Sequence, residues 1–232
     1  LHERNPQAVP DTPTHHVTSA MMGDIVRTGD EEATLAFEVA AHAGIERFEI
    51  RNGTDVLETI RPYGESDLGD RVRVLWSGAE YRGRGRNTTW RGRARVSGAR
   101  IERFETINLW NPERLFEQRG SDTIVFDTVT TGNFMGFDAW LSPGDGGRFQ
   151  ITTNHGDLDL DLDKIGLADT ILEAGGLARR LKVLRLPQER LGRTIKVERK
   201  IPLNAAGDNP IWIAVTTEDG YQAWTSPVYL FR

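Results

Sequence analysis

A two-residue alternation of apolar and polar positions dominates this chain, and the 3.6-residue repeat of an amphipathic helix is scarce. "ATLAFEVAAH" (33–42) sets Leu35, Phe37 and Val39 on one face. "GIERFEIRNG" (44–53) turns Ile45, Phe48 and Ile50 inward with a slip between them, the mark of a bulge or strong twist. Asn52-Gly53 then gives a hairpin signal, with "DVLETIRPY" as the returning strand. "DRVRVLWSG" (70–78) alternates Val72, Val74 and Trp76 against Arg71, Arg73 and Leu75. "NPIWIAVTTEDGYQAWTSPVYLF" (209–231) reads as two strands around a turn at Glu218-Asp219-Gly220. Six more strands are expected in 123–132, 134–142, 147–156, 157–166, 179–187 and 193–203. Only "LADTILEAGG" (167–176) fits a short helix, closed by Gly175-Gly176.

Short strands at this spacing, with Gly, Pro and Asn between them, predict β-sandwiches. So many strands exceed one small sandwich, and the chain is expected to be all-β with two packed β-sandwich domains. No repeat of fixed period is present. The strands within 17–78 resemble an immunoglobulin-like set that lacks its last hairpin, while 209–231 has no sequential neighbour of its own kind. The expected organisation follows: a linker over 1–16, an immunoglobulin-like sandwich from 17–85 plus 206–232, and a second sandwich, 86–205, inserted into it. The C-terminal hairpin completes the first sandwich.

Composition narrows the functional classes. The 232 residues are 38% hydrophobic, enough to bury a core and to argue against global disorder. A net charge of −5 has the wrong sign for a protein whose whole surface binds polyanions. There is no cysteine, which removes disulfides, thiolate zinc sites and cysteine nucleophiles together. A cysteine-free chain is stable in reducing and oxidising spaces alike, so composition assigns no compartment. No apolar run approaches the ~18 residues of a membrane span, and no membrane partner is expected. The polar, proline-rich start, "LHERNPQAVPDTPTHH", is unlike a signal peptide. It reads as a linker, and a piece of a longer protein is the expectation.

Candidate chemistry is sparse. The histidines are His2, His15, His16, His42 and His155, with no H-x-H, H-E-x-x-H or Cys/His cluster. No histidine metal site, cofactor or catalytic residue is expected, and His42 reads as a strand-end histidine. "DLDLDLDK" puts Asp157, Asp159, Asp161 and Asp163 on one strand face. Same-face side chains lie ~6.6 Å apart, so the four cannot converge on one calcium ion. A solvated acidic face is the main reading, and a surface calcium site shared with a neighbouring loop is the other. Neither G-x-S-x-G nor a P-loop occurs.

One segment stands apart. "YRGRGRNTTWRGRARVSGAR" (81–100) holds seven arginines and no acid. Its second half alternates: Trp90, Gly92, Ala94 and Val96 face one way, Arg91, Arg93 and Arg95 the other. That is the pattern of a half-buried strand, which a disordered arginine-glycine tail would not carry. Gly92 and Ala94 leave room for a neighbour to pack closely. Trp90 falls on the face opposite the arginines, where it offers no stacking platform for bases, and no nucleic-acid partner is expected. At least two of Arg91, Arg93 and Arg95 are expected to meet carboxylates of this chain, with Asp157, Asp159 and Asp161 the first candidates. If the segment binds an anionic carbohydrate or phosphorylated ligand, the loop residues Tyr81, Arg82, Arg84 and Arg86 carry the contact.

Several stretches resemble the C-terminal part of a bacterial family of unknown function. They are "AMMGDIV", "AHAGIERFEIRNG", "LWSGAEYRGRGRNTTWRGRA", "LEAGGLARRLKVLRLP" and "GDNPIWIAVTTEDGYQAWTSPVYLF". The likeness runs from about Ala20 to Phe231, and the closing stretch is its most specific part. Longer members of that family place a PHP-like (polymerase and histidinol phosphatase) metal-dependent phosphoesterase domain ahead of this region. The family's metal-binding residues lie in that domain, so the resemblance transfers no catalytic residue here. It implies a non-catalytic accessory β-region of a PHP-like hydrolase, with that domain of the same protein as partner. The alternative is a free-standing module for the anionic ligands named above.

Overall fold

The computed structural model describes residues 16–144, 146–189 and 191–232. In chain order the strands are β1 (Ile25–Arg27), β2 (Glu32–Ala40), β3 (Ile45–Asn52), β4 (Asp55–Ile60), β5 (Leu68–Ala79) and β6 (Thr88–Ser97). They continue as β7 (Ile101–Ile107), β8 (Phe116–Arg119), β9 (Thr123–Thr130), β10 (Phe134–Leu141), β11 (Arg148–Thr153) and β12 (Gly156–Asp161). The last are β13 (Thr170–Glu173), β14 (Leu177–Pro187), β15 (Thr194–Pro202), β16 (Asp208–Thr217), β17 (Gln222–Trp224) and β18 (Val228–Phe231). Short 3₁₀ turns at Glu65–Asp67 and Leu162–Lys164 complete the regular structure, and the fold is all-β. No helix among the described residues is long and apolar enough to cross a membrane. The chain divides into two compact units, Leu1–Pro62 with Gly192–Arg232, and Tyr63–Leu191.

In the first unit, β2 pairs with β15, opposite a sheet ordered β1-β18-β16-β3-β4 with β17 also on β16. β1 runs parallel to β18 and the other pairs are antiparallel. This is the connectivity of an immunoglobulin-like sandwich, whose second sheet here is the β2–β15 pair alone. Phe48 and Ile50 of β3, Val197 and Ile201 of β15, and Ile211, Ile213 and Val215 of β16 fill its core, with Phe37 edge-on to Phe48 at 5.5 Å. Burying each such side chain contributes about 1.5–3 kcal/mol. The slip in β3 is a bulge: Thr216 pairs with Arg47 and Thr217 with Ile45, leaving Glu46 as the extra residue. Ile45 is thereby buried beside Glu46, which has the parity of Phe48 and Ile50, and Glu46 Oε1 accepts from Arg47 (3.1 Å) and Arg61 (3.4 Å).

The second unit packs two five-stranded antiparallel sheets, β13-β14-β5-β10-β7 and β12-β11-β6-β9-β8. Their shared core centres on Trp76, stacked on Phe126 at 4.3 Å, with its Nε1 donating to Thr128 Oγ1 (3.0 Å). Trp90 Nε1 donates to Thr130 Oγ1 in the same way (3.1 Å). Gly92 has no room for a side chain: a Cβ there would lie 2.5 Å from the Thr152 carbonyl and 2.7 Å from the Phe126 ring. The strand register gathers the turns 80–87, 108–115, 131–133, 154–155 and 174–176 at one end of this sandwich. The chain enters and leaves the unit at the other end, where Leu68 pairs with Pro187.

Two expectations change. The unit boundaries fall at 62/63 and 191/192 and not at 85/86 and 205/206. β5 joins the inserted sandwich because it lies between β10 and β14, with Val72, Val74 and Trp76 in that core. β15 joins the first because Val197 and Ile201 pack there. The stretch 167–176 is not a helix. Its β13 pairs with β14, and Gly175 (φ 73°) and Gly176 (φ 57°) form the intervening hairpin turn, since both take the left-handed conformation that such turns require.

Candidate functional site

The loop between β5 and β6 is a closed structure. Glu80 N–H donates to Arg86 O (3.2 Å), and the Glu80 carboxylate pairs with Arg179 of β14. The Tyr81 hydroxyl rests on Gly85, where any side chain would displace the phenol ring. Arg82, Arg84 and Arg86 project from this loop, exposed, with no hydrogen-bonding or ionic partner for their side chains among the described residues. Tyr81 is 56% exposed, and Trp110 on the 108–115 turn, at the same end of the sandwich, is 61% exposed.

The arginines of β6 behave differently. Arg91 pairs with Asp127 (3.0 Å) and Arg95 with Asp122 (3.2 Å), while Arg93 has no carboxylate partner among the described residues. The partners are not those expected from alternation, because β11 intervenes: Arg95 faces Gln150, which in turn faces Asp159. Asp159 and Asp161 of the acidic strand are ion-paired by their neighbours, while Asp157 accepts the Thr153 N–H (3.1 Å). Arg148 reaches Asp159 (2.7 Å) and Asp161 (2.5 Å), and Lys164 reaches Asp161 (2.6 Å). The Arg148 hydrogen bond lowers the pKa of Asp159, and the Lys164 hydrogen bond that of Asp161. No three acids or histidines among the described residues are grouped to hold a metal ion. His2 and His15 lie outside the described residues.

A third set of arginines escaped sequence reading. On the face of β5 away from the sandwich core, Arg71 and Arg73 are each 1% exposed and share one carboxylate, Asp138 of β10. Arg71 donates from Nε (3.1 Å) and Nη2 (2.5 Å), and Arg73 from Nε (2.7 Å) and Nη2 (2.8 Å). Trp140 stacks under both Arg71 (4.9 Å) and Arg103 (3.7 Å). Burial pushes the Asp138 carboxyl up, but the charges and hydrogen bonds of Arg73 and Arg71 outweigh it and hold its pKa below the ordinary value. The only sequence signal was Asp138 amid the apolar run "FMGFDAWL". A buried, fully engaged cluster of this kind orients strands and leaves nothing to offer a ligand.

Two other places carry polar groups. A cleft of about 630 Å³ at the entry end of the second unit is lined by Glu65, Asp70, Ser142, Asp163, Lys164 and Arg185. Arg185 is a brace there, donating to the carbonyls of Ile165 (2.8 Å), Gly69 (3.1 Å) and Leu162 (2.6 Å). Its burial lowers its pKa. In the first unit His42 Nε2 lies 2.7 Å from Asp219 Oδ2, tying the β2–β3 turn to the β16–β17 turn. Burial raises the Asp219 carboxyl, and the Thr217 hydroxyl and His42 more than reverse that, so its pKa is lowered. The Thr217 hydroxyl donates to the other carboxylate oxygen of Asp219, Oδ1 (2.6 Å). Comparison with family models, curated proteins and solved structures returned no match for this chain.

Proposed function

We propose that this chain is a non-catalytic β-region that binds an anionic carbohydrate or phosphorylated ligand through the arginine loop of its second sandwich. The observation that carries this reading is the contrast within one segment. Arg91 and Arg95 meet acids, whereas Arg82, Arg84 and Arg86 stand on a braced loop without one among the described residues. Uncompensated guanidiniums on a fixed loop present donors that match carboxylate, sulfate or phosphate oxygens. Loops grouped at one end of a sandwich, away from the chain's entry, are also where such scaffolds carry recognition. The resemblance to the region that follows a PHP-like phosphoesterase domain supports an accessory role, with that domain of the same protein as partner.

One pair of measurements on the purified chain tests the proposal. Polyanions should raise its melting temperature, and the Arg82→Ala/Arg84→Ala/Arg86→Ala variant should lose that rise. Hydrolysis of p-nitrophenyl phosphate with added manganese or zinc should stay at the blank rate. Turnover abolished by a chelator would overturn the non-catalytic reading.

A further inference from the structure

We propose that the ligand is a linear acidic polysaccharide, lying from the arginine loop along the exposed outer face of β6. This rests on the reading of Arg82, Arg84 and Arg86 as an anion site and adds the polymer and its track. The loop runs directly into β6, the central strand of its five-stranded sheet. Outward residues on that strand follow one another at ~6.6 Å. Arg91, Arg93 and Arg95 therefore continue the line of cations down the middle of the face. Arg93 lies between Thr152 and Val125, neither of them acidic, and Gln150 beside Arg95 is exposed. Asp127 and Asp122 orient Arg91 and Arg95 from one side, and both guanidinium side chains remain largely exposed, at 70% and 63%.

An open row of this kind suits a repeating ligand better than a small one. Each exposed ionic contact is worth little by itself. A small anion gains one or two such contacts, whereas a polymer gains many, each after the first at high effective concentration. The rims of the face decide which polymer. Asp157, Asp159 and Asp161 edge it on β12 and Glu117 on β8, and among the described residues all but Asp157 are ion-paired, to Arg148, Lys164 or Arg119. The rim thus alternates cations with acceptors and lacks the unbroken cationic surface that a phosphate charge every ~1.7 Å of duplex would need. A single strand would find no exposed aromatic on the β6 face, because Trp90 is buried on the core side. A glycan carries its charges at intervals and hydroxyls between them. Those hydroxyls can donate to the rim carboxylates and bond with Gln150 and Thr152, while exposed Trp110 and Tyr81 offer apolar surface to sugar rings at the loop end.

The test is affinity electrophoresis of the full 232-residue chain through gels containing polygalacturonate, dextran sulfate, neutral dextran or oligothymidylate. Inorganic phosphate serves as a soluble competitor. The acidic polysaccharides should retard the chain, neutral dextran should not, and added salt should abolish the effect. The triple Arg82/Arg84/Arg86→Ala variant should bind about tenfold more weakly, and Arg93→Ala about threefold more weakly. Lys196→Ala, in the first unit, should match the parent, and all variants should keep the parent's melting temperature. Full competition by phosphate at concentrations too low to screen charge would overturn the polymer and leave the anion site standing. Stronger retardation by oligothymidylate would overturn the polysaccharide in favour of nucleic acid. Unchanged retardation of the triple variant, or no retardation by any polyanion, would overturn the anion site as well.

Discussion

β5 and β6 carry nearly the same pattern of arginines, yet their guanidiniums end in opposite surroundings. β5 reads Arg71-Val72-Arg73-Val74 and β6 reads Arg91-Gly92-Arg93-Ala94-Arg95, and in both the small or apolar residues enter the second unit's core. Arg71 and Arg73 are nonetheless 1% exposed, while Arg91 and Arg95 stand in water. The acids differ accordingly. Asp138 lies directly across from Arg73 in the ladder, where one carboxylate takes four donors from two guanidiniums. Asp127 and Asp122 each meet one guanidinium of β6 through a single contact near 3 Å. Charge taken out of water demands complete pairing, and charge left in water does not. The β6 side is thus free to serve recognition, and the β5 side is committed to holding strands together.

Removing the shared acid is the sharpest way to break this contrast. Asp138→Ala leaves two buried guanidiniums without their common carboxylate and should cost about 3–5 kcal/mol. Urea unfolding followed by tryptophan fluorescence would measure it. A loss under about 1 kcal/mol would show that the cluster is better hydrated than its burial implies.

The contrast also marks how far the sequence could be read. Alternation correctly placed Val72, Val74 and Trp76 on a core face, the bulge before Phe48, and the turn at Glu218 to Gly220, because each follows from neighbours along the chain. It could not say that the other face of β5 would be buried, since nothing in Arg71 and Arg73 differs locally from Arg91 and Arg93. Nor could it place β11 between β6 and β12, which is why Arg95 found Asp122 and not Asp159. Pairing order is set by contacts far apart in sequence, and a two-residue period is silent on it. β13 failed for a related reason: Ile171 and Leu172 suit either element over so short a run, and pairing with β14 decided the outcome. Tyr81, Arg82, Arg84 and Arg86 were legible as a loop because apolar periodicity lapses there. Their lack of acid partners among the described residues is set by the tertiary fold, which a local pattern does not carry.

Acid sharpens the comparison next. The folded-state pKa of Asp138 is lowered, so its contribution is present above the unfolded value of about 3.9 and is lost as pH falls through the folded pKa. The urea midpoint should hold steady from neutral pH down to about 5 and fall below about 4. Asp159 and Asp161 are lowered in the same direction, but they are exposed and salt screens their pairs. Salt should therefore shrink their share of the acid loss and leave that of Asp138 in place. Asp138→Asn should remove the part that salt does not touch.

The smallest effect expected lies on β6. Arg91→Ala and Arg95→Ala each remove a guanidinium that is mostly in water and bound to one acid, so each should change stability by no more than about 0.5 kcal/mol. The geometry gives a reason for a value near zero. Holding a long side chain against Asp127 or Asp122 costs rotamer freedom that the exposed ion pair barely offsets. Like charges on neighbouring outward positions also repel, and removing one relieves Arg93 between them. The same two variants should weaken retardation by polygalacturonate although they leave the melting temperature alone. A large loss of stability with either would mean that the β6 arginines are structural, as those of β5 are. The two strands would then differ only in how much water reaches them.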